Sequence, residues 1–108
     1  MKGRHLGEFE FTVLAAVPRV GENAYAVEIR RMIQESVDRP VSMGAIYATL
    51  DRLQRKGYVT SRFGDPTPER GGKAKRYFKI EDSGLVALRT TLENHLTMVA
   101  GLGLEPAP

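Results

Sequence analysis

Hydrophobic positions recur along this chain in two periods. Leu6, Phe9, Val13, Leu14 and Val17 follow a helical spacing, which predicts a first helix from about Gly7 to Val17, limited by Pro18. Phe11 falls on another face, open to a partner. Gly21, Glu22 and Asn23 give a turn signal, with Asn23 as the N-cap of the next helix. Tyr25, Ile29, Met32 and Ile33 mark the inner side of that second helix, which ends near Ser36 and is broken by Asp38-Arg39-Pro40. Ser42 caps a third helix, and Val41 before the cap with Ile46 after it forms a hydrophobic staple. Met43, Ile46, Tyr47, Leu50 and Leu53 are expected to face the core, leaving Gly44, Ala45, Ala48, Thr49 and Arg52 on the open face. Gly57 behind Arg55 and Lys56 is a stop signal, with cations where the helix dipole favours them.

The period then changes. Residues 58–63 and 76–80 have strand composition, and the Gly- and Pro-rich segment between them is too long for a tight turn, so a projecting loop is expected. A last helix starts near Asp82 with an apolar stripe of Leu85, Leu88, Leu92, Leu96, Val99 and Leu102. The fold class is therefore mainly α with a small β-hairpin: a winged helix-turn-helix over residues 1–81, a C-terminal dimerisation helix over 82–102, and a tail over 103–108 expected to fray.

At 108 residues one domain with a modest core is expected. No apolar run approaches the ~18 residues that span a bilayer, and the N-terminus has no signal-peptide core, so no membrane role is expected. There is no cysteine, which removes disulfides and thiolate metal sites and fits a reducing cytoplasm. A chain this small and without cross-links often gains stability by association, which favours a dimer.

The net charge of +3 conceals an uneven distribution. From Arg52 to Lys79 there are nine bases and two acids, a balance of +7; the rest of the chain carries seven bases and eleven acids, or −4. A basic middle in an acidic chain suggests one surface facing a polyanion, although a solvated face has the same composition. Placement favours the first reading. Gly44 and Ala45 leave room for a groove edge, and the N–H groups at the start of the third helix can receive a phosphate. Thr49 and Arg52 follow on the same face, with Arg52 in reach of a guanine edge or a phosphate. Arg70, Lys73, Lys75 and Arg76 can track the backbone or the minor groove. The bland alternatives are close helix packing for Gly44 and Ala45 and a solubilising loop for the wing bases. Tyr47 is read as core with its hydroxyl at the surface, and a phosphate contact is its second role.

Enzyme readings lack residues. Gly71-Gly72-Lys73 is missing the upstream glycine of a phosphate loop, and Ala74 stands where Ser or Thr is needed. With two His and no Cys, metal catalysis and thiol nucleophiles are unsupported, so no enzyme, metal or cofactor is expected. The alternative to double-stranded DNA binding is a winged-helix module for protein association. RNA binding ranks lower, because no exposed aromatic platform is evident on either strand.

The stretch SMGAIYATLDRLQRKGYV at residues 42–59 resembles the recognition-helix signature of the PadR family of bacterial transcriptional regulators. RGGKAKRYFKIEDSG at residues 70–84 is similar to that family's wing and second strand. Leu6, Gly7, Glu8 and Phe9 with Val13 and Leu14 also fit, so the resemblance covers roughly residues 6–100, and helix and wing together make it specific. It implies a homodimeric repressor, of the compact branch with one short C-terminal helix, on an inverted-repeat operator. It also implies relief by a small-molecule effector or another signal. Carried over by position, DNA contact falls on Ser42, Gly44, Ala45, Tyr47, Thr49 and Arg52, and on Lys73, Lys75 and Arg76 of the wing. Ile80-Glu81 departs from the family's Leu-Thr, so Asp82 or Ser83 is expected to cap the last helix instead.

Leu85, Leu92 and Val99 lie seven apart; Leu88, His95 and Leu102 form the companion series, with Leu96 beside it. This stripe suits pairing with its twin or with the partner's first helix, against the alternative of packing on its own domain. His95 is read as a seam or surface residue rather than a pH sensor. Some compact members of the family it resembles hold flat aromatic ligands between tryptophans at the dimer centre. This chain has no Trp and no aromatic after Phe78, which leaves a pocket lined by Phe9, Phe11 and the last helix, or no effector.

Overall fold

The computed structural model describes residues 5–64 and 74–104. Helices α1 (Glu8–Val20), α2 (Ala26–Ser36) and α3 (Met43–Arg55) precede a hairpin of β1 (Val59–Phe63) and β2 (Arg76–Ile80), and α4 (Asp82–Val99) closes the chain. The fold is mostly helical with one antiparallel two-stranded hairpin, a winged helix. The strands pair from Val59 opposite Ile80 to Phe63 opposite Arg76.

Helix α1 runs past the expected stop, with Pro18 inside its last turn. Proline's fixed φ is helix-compatible and its cost is concentrated on the bond to the preceding turn. Val17 and Val20 beside it pack on the core, which offsets that cost. The helix ends instead at Gly21, where φ is +84°, a value that a side chain disfavours. Asn23 does not cap α2. It closes a short 3-10 turn at Gly21–Asn23 and Tyr25 occupies the N-cap position. Ser42 does cap α3, its Oγ accepting the Ala45 N–H at 3.1 Å, and Gly57 leaves the helix at φ +81°.

The core lies between the three helices and the root of the hairpin. Val13, Leu14 and Val17 of α1, Ile29 and Ile33 of α2, Ile46, Leu50 and Leu53 of α3, and Val59 and Phe78 of the strands are all buried. The hairpin is tied to the helices by its backbone: Phe78 N–H donates to the Ala24 carbonyl at 2.8 Å, and Tyr58 N–H to that of Leu53 at 3.0 Å. The hairpin is thus fixed both to the segment just before α2 and to the last turn of α3.

Helix α4 meets its own domain through small residues. Gly84, Ala87 and Thr91 are buried, and a Cβ on Gly84 would stand 2.5 Å from the Tyr58 carbonyl oxygen. Neither Asp82 nor Ser83 caps the helix: Glu81 holds the N-cap position without a side-chain capping bond. Ser83 Oγ donates instead to the Gly57 carbonyl at 2.6 Å, fastening α4 to the end of α3. Leu85, Leu92, Leu96 and Val99 stay exposed, and His95 with them, while Leu88 is half-buried against the core. Within one chain, packing onto its own domain therefore uses the small residues and Leu88, and leaves Leu85, Leu92, Leu96 and Val99 exposed.

Candidate nucleic-acid interface

The outward side of α3 is defined by what its inward side buries. Thr49 stands three residues after Ile46 and four before Leu53, so it falls within the stripe that packs inward, and it is 1% exposed. Its expected place on the open face is corrected accordingly. Tyr47 is corrected the other way: it is 52% exposed. Both errors have one cause. A stripe defined by Met43, Ile46, Leu50 and Leu53 has two flanks, and spacing alone does not say which flank the neighbouring elements cover. The outward row is Gly44, Tyr47, Ala48, Asp51 and Arg55, all exposed. Nothing lies within 4 Å of a Cβ built on Gly44, so close helix packing does not explain that glycine. Ala45 is half-buried beside exposed Ser42.

Arg52 is held to the side. Its Nη2 donates to Thr49 Oγ1 at 3.2 Å and its Nε to Glu10 Oε2 at 3.4 Å. Lys56 Nζ reaches the same oxygen at 2.9 Å. Glu10 Oε1 accepts the Gly7 N–H at 3.0 Å. Burial acts to raise the Glu10 pKa, but the Gly7 hydrogen bond and the Lys56 and Arg52 cations outweigh it and hold the carboxyl below its ordinary value. One acid of α1 thereby fixes two bases of α3, and Arg52 keeps a half-exposed guanidinium rather than a free one.

At the wing, Arg76 faces back toward α3. It donates to Gln54 Oε1 at 2.6 Å, to Ser61 Oγ at 3.1 Å and to Asp51 Oδ1 at 3.2 Å. Its guanidinium lies 4.9 Å from the Phe78 ring centroid. Lys75 Nζ sits 4.4 Å from the Tyr25 ring centroid and 3.4 Å from that residue's hydroxyl. Tyr25 meets Tyr77 edge to face at 5.6 Å, and Arg62 covers Tyr77 at 4.9 Å. This ladder sets the wing root against the start of α2, with cation–aromatic contacts worth about 0.5–1 kcal/mol each at exposed sites. Lys73, expected as a phosphate contact, lies outside the described residues, as does Arg70.

Tyr47 borders one hollow together with Lys75 and Arg76 of the wing, Ser42 and Ala45 border another with Phe9, Gly44 and Arg52 are exposed, and Thr49 is buried. Sequence reasoning missed Asp51 and Arg55, although steps of four, three and four from Gly44 lead to both. It also missed Arg62 and Phe63 on β1; Phe63 is 70% exposed. An α-helix fits the major groove of B-DNA while an adjoining hairpin reaches the backbone, and α3 with its hairpin has that arrangement of parts.

Phe9 and Phe11 line separate hollows. Phe9 borders one with Pro40, Val41 and Ser42; Phe11 borders another, of about 250 Å³, with Ala15, Met32 and Val37. Residues two apart on a helix point to nearly opposite sides, and α4 borders neither hollow, so among the described residues the two rings and the last helix do not line one pocket. Among the described residues no group of His, Cys, Asp and Glu is placed to hold a metal, and no helix is long and apolar enough to cross a membrane.

Residues 13–90 match the family described as the transcriptional regulator PadR-like family. The fold is similar to a PadR family transcription regulator from hypervirulent Clostridium difficile R20291, at 16% identity over 89% of this chain and 94% of that one, with a TM-score of 0.69. It is similar to a transcriptional regulator from Clostridium thermocellum, at 20% identity over 86% and 87%, with a TM-score of 0.72. Bacillus subtilis PadR, solved in complex with operator DNA, shares 20% identity over 93% of this chain and a TM-score of 0.66; the match spans 51% of that chain. No curated protein matches the sequence.

Proposed function

The chain belongs to the PadR-like family of transcriptional regulators, and from that premise we propose that it acts in the cytoplasm as a homodimeric repressor. Each protomer places α3 in the major groove of one half of an inverted-repeat operator and lays its wing along the flanking backbone. The observation that carries this is the outward row of α3: an open Gly44 at its start, Tyr47 beyond it, and a wing root fastened to the same helix through Arg76. The Bacillus subtilis PadR complex with operator DNA supports the same use of the fold. Pairing through α4 is supported by the exposed Leu85, Leu92, Leu96 and Val99, which a helix–helix seam would bury.

Fluorescence anisotropy tests the reading: DNA from upstream of the protein's own gene beside a shuffled duplex, at two salt concentrations. Tighter binding to the native fragment, falling steeply with salt through counterion release, is expected. Equal binding to both fragments would place the operator elsewhere. Absence of binding at low salt would put protein association in place of DNA binding.

A further inference from the structure

Asp51 is an acid in the middle of the surface assigned to DNA. It lies one turn beyond Tyr47 and one turn before Arg55, and its side chain is 50% exposed. A lone carboxylate there would be repelled by phosphates, but Arg76 Nη1 donates to Asp51 Oδ1 at 3.2 Å and offsets the charge. Arg76 cannot follow a swinging carboxylate far, because Gln54 and Ser61 hold the rest of its guanidinium at 2.6 and 3.1 Å. The pair is therefore oriented before any ligand arrives. Oδ2 has no hydrogen-bond partner among the described residues.

An ionised carboxylate oxygen only accepts hydrogen bonds. In the major groove guanine and thymine present acceptors, adenine presents its N6 donor beside the N7 acceptor, and cytosine presents the N4 donor alone. A carboxylate is thus repelled by two bases, receives mixed contacts from the third and is matched by the fourth. We propose that Asp51 is a specificity-determining residue that accepts a hydrogen bond from cytosine N4 at one position of each half-site, and that Arg76 is its positioning residue. The inference rests on the DNA-binding reading above.

The test is selection from a duplex library with a randomised centre by the full chain and by Asp51→Ala, Asp51→Asn and Arg76→Met, each checked for folding by circular dichroism. The parent chain is expected to select cytosine at one position per half-site, with discrimination of roughly tenfold. Asp51→Ala should lose preference at that position alone. Asp51→Asn should move it toward adenine, whose N6 and N7 suit an amide, and Arg76→Met should blunt it. A purely anchoring role for Asp51 predicts something else: lower affinity for every duplex with each base preference unchanged, and that result overturns the proposal. If the parent chain selects nothing and shows no salt-dependent duplex binding, the DNA-binding reading falls and this inference falls with it. Selection of a motif without a cytosine position sensitive to Asp51 overturns the inference alone.

Discussion

Replacing Gly44 with alanine separates stability from recognition. A new methyl there meets nothing within 4 Å, and alanine favours a helix interior over glycine by about 1 kcal/mol. Gly44→Ala is expected to raise the melting temperature by a few degrees while weakening specific duplex binding, measured by thermal denaturation and anisotropy; unchanged affinity would remove Gly44 from the interface. Gly84 is the opposite case. A Cβ there would meet the Tyr58 carbonyl oxygen at 2.5 Å and Ile80 Cγ1 at 2.8 Å. Gly84→Ala should cost roughly 1–3 kcal/mol in urea denaturation by pushing α4 off the hairpin. Both glycines are plain in the sequence, yet only the surroundings distinguish an open one from a crowded one. The same holds for Thr49 and Tyr47, which flank one stripe and whose placements are exchanged by what α1 and the wing cover.

Between elements, Glu10 is the joint that fastens α1 to the C-terminal half of α3. Its carboxyl is held below the ordinary value of 4.5, so the unfolded chain binds the proton more readily than the folded one. The contribution to stability is then complete above the unfolded pKa and is lost as pH falls through the lower folded value. Glu10→Gln is expected to lower stability by about 1 kcal/mol near neutral pH. The gap between parent and variant should close as the solution is acidified below pH 4.5, followed by chemical denaturation at several pH values. A gap that stays constant through that window would assign the effect to packing rather than charge. No pattern rule pairs residue 10 with residues 52 and 56. The Ser42 cap was more legible, because it rests on one bond between residues three apart in the chain. The start of α2 was not, since a 3-10 turn took up the residues read as its cap.

For the molecule as a whole, the proposed dimer turns on α4. Its small residues face its own domain, Leu88 is half-buried against the core, and Leu85, Leu92 and Leu96 are exposed. Leu92→Asp is expected to convert a dimer to monomers by light scattering and to lower operator affinity, since two half-sites would no longer be bound together. A dimer that survives would place the interface elsewhere. Because Leu92 is exposed within one chain, the substitution should leave the helical content of each protomer intact by circular dichroism.

By itself the sequence determined the order of elements, the periods of their apolar faces and the family resemblance, because these depend on backbone geometry and residues close in the chain. It also pointed to the region from residue 40 to 84 as the part expected to meet DNA, through small residues at a helix start and concentrated charge beyond it. Only the tertiary structure decided which flank of α3 is covered, that Arg76 is turned toward α3 and Arg52 toward Glu10, and that Asp51 and Arg55 share the outward row. The reason is range. A helix period fixes angles about one axis, while burial and ion pairing depend on which other axis lies alongside, and that is settled by packing among residues distant in the chain.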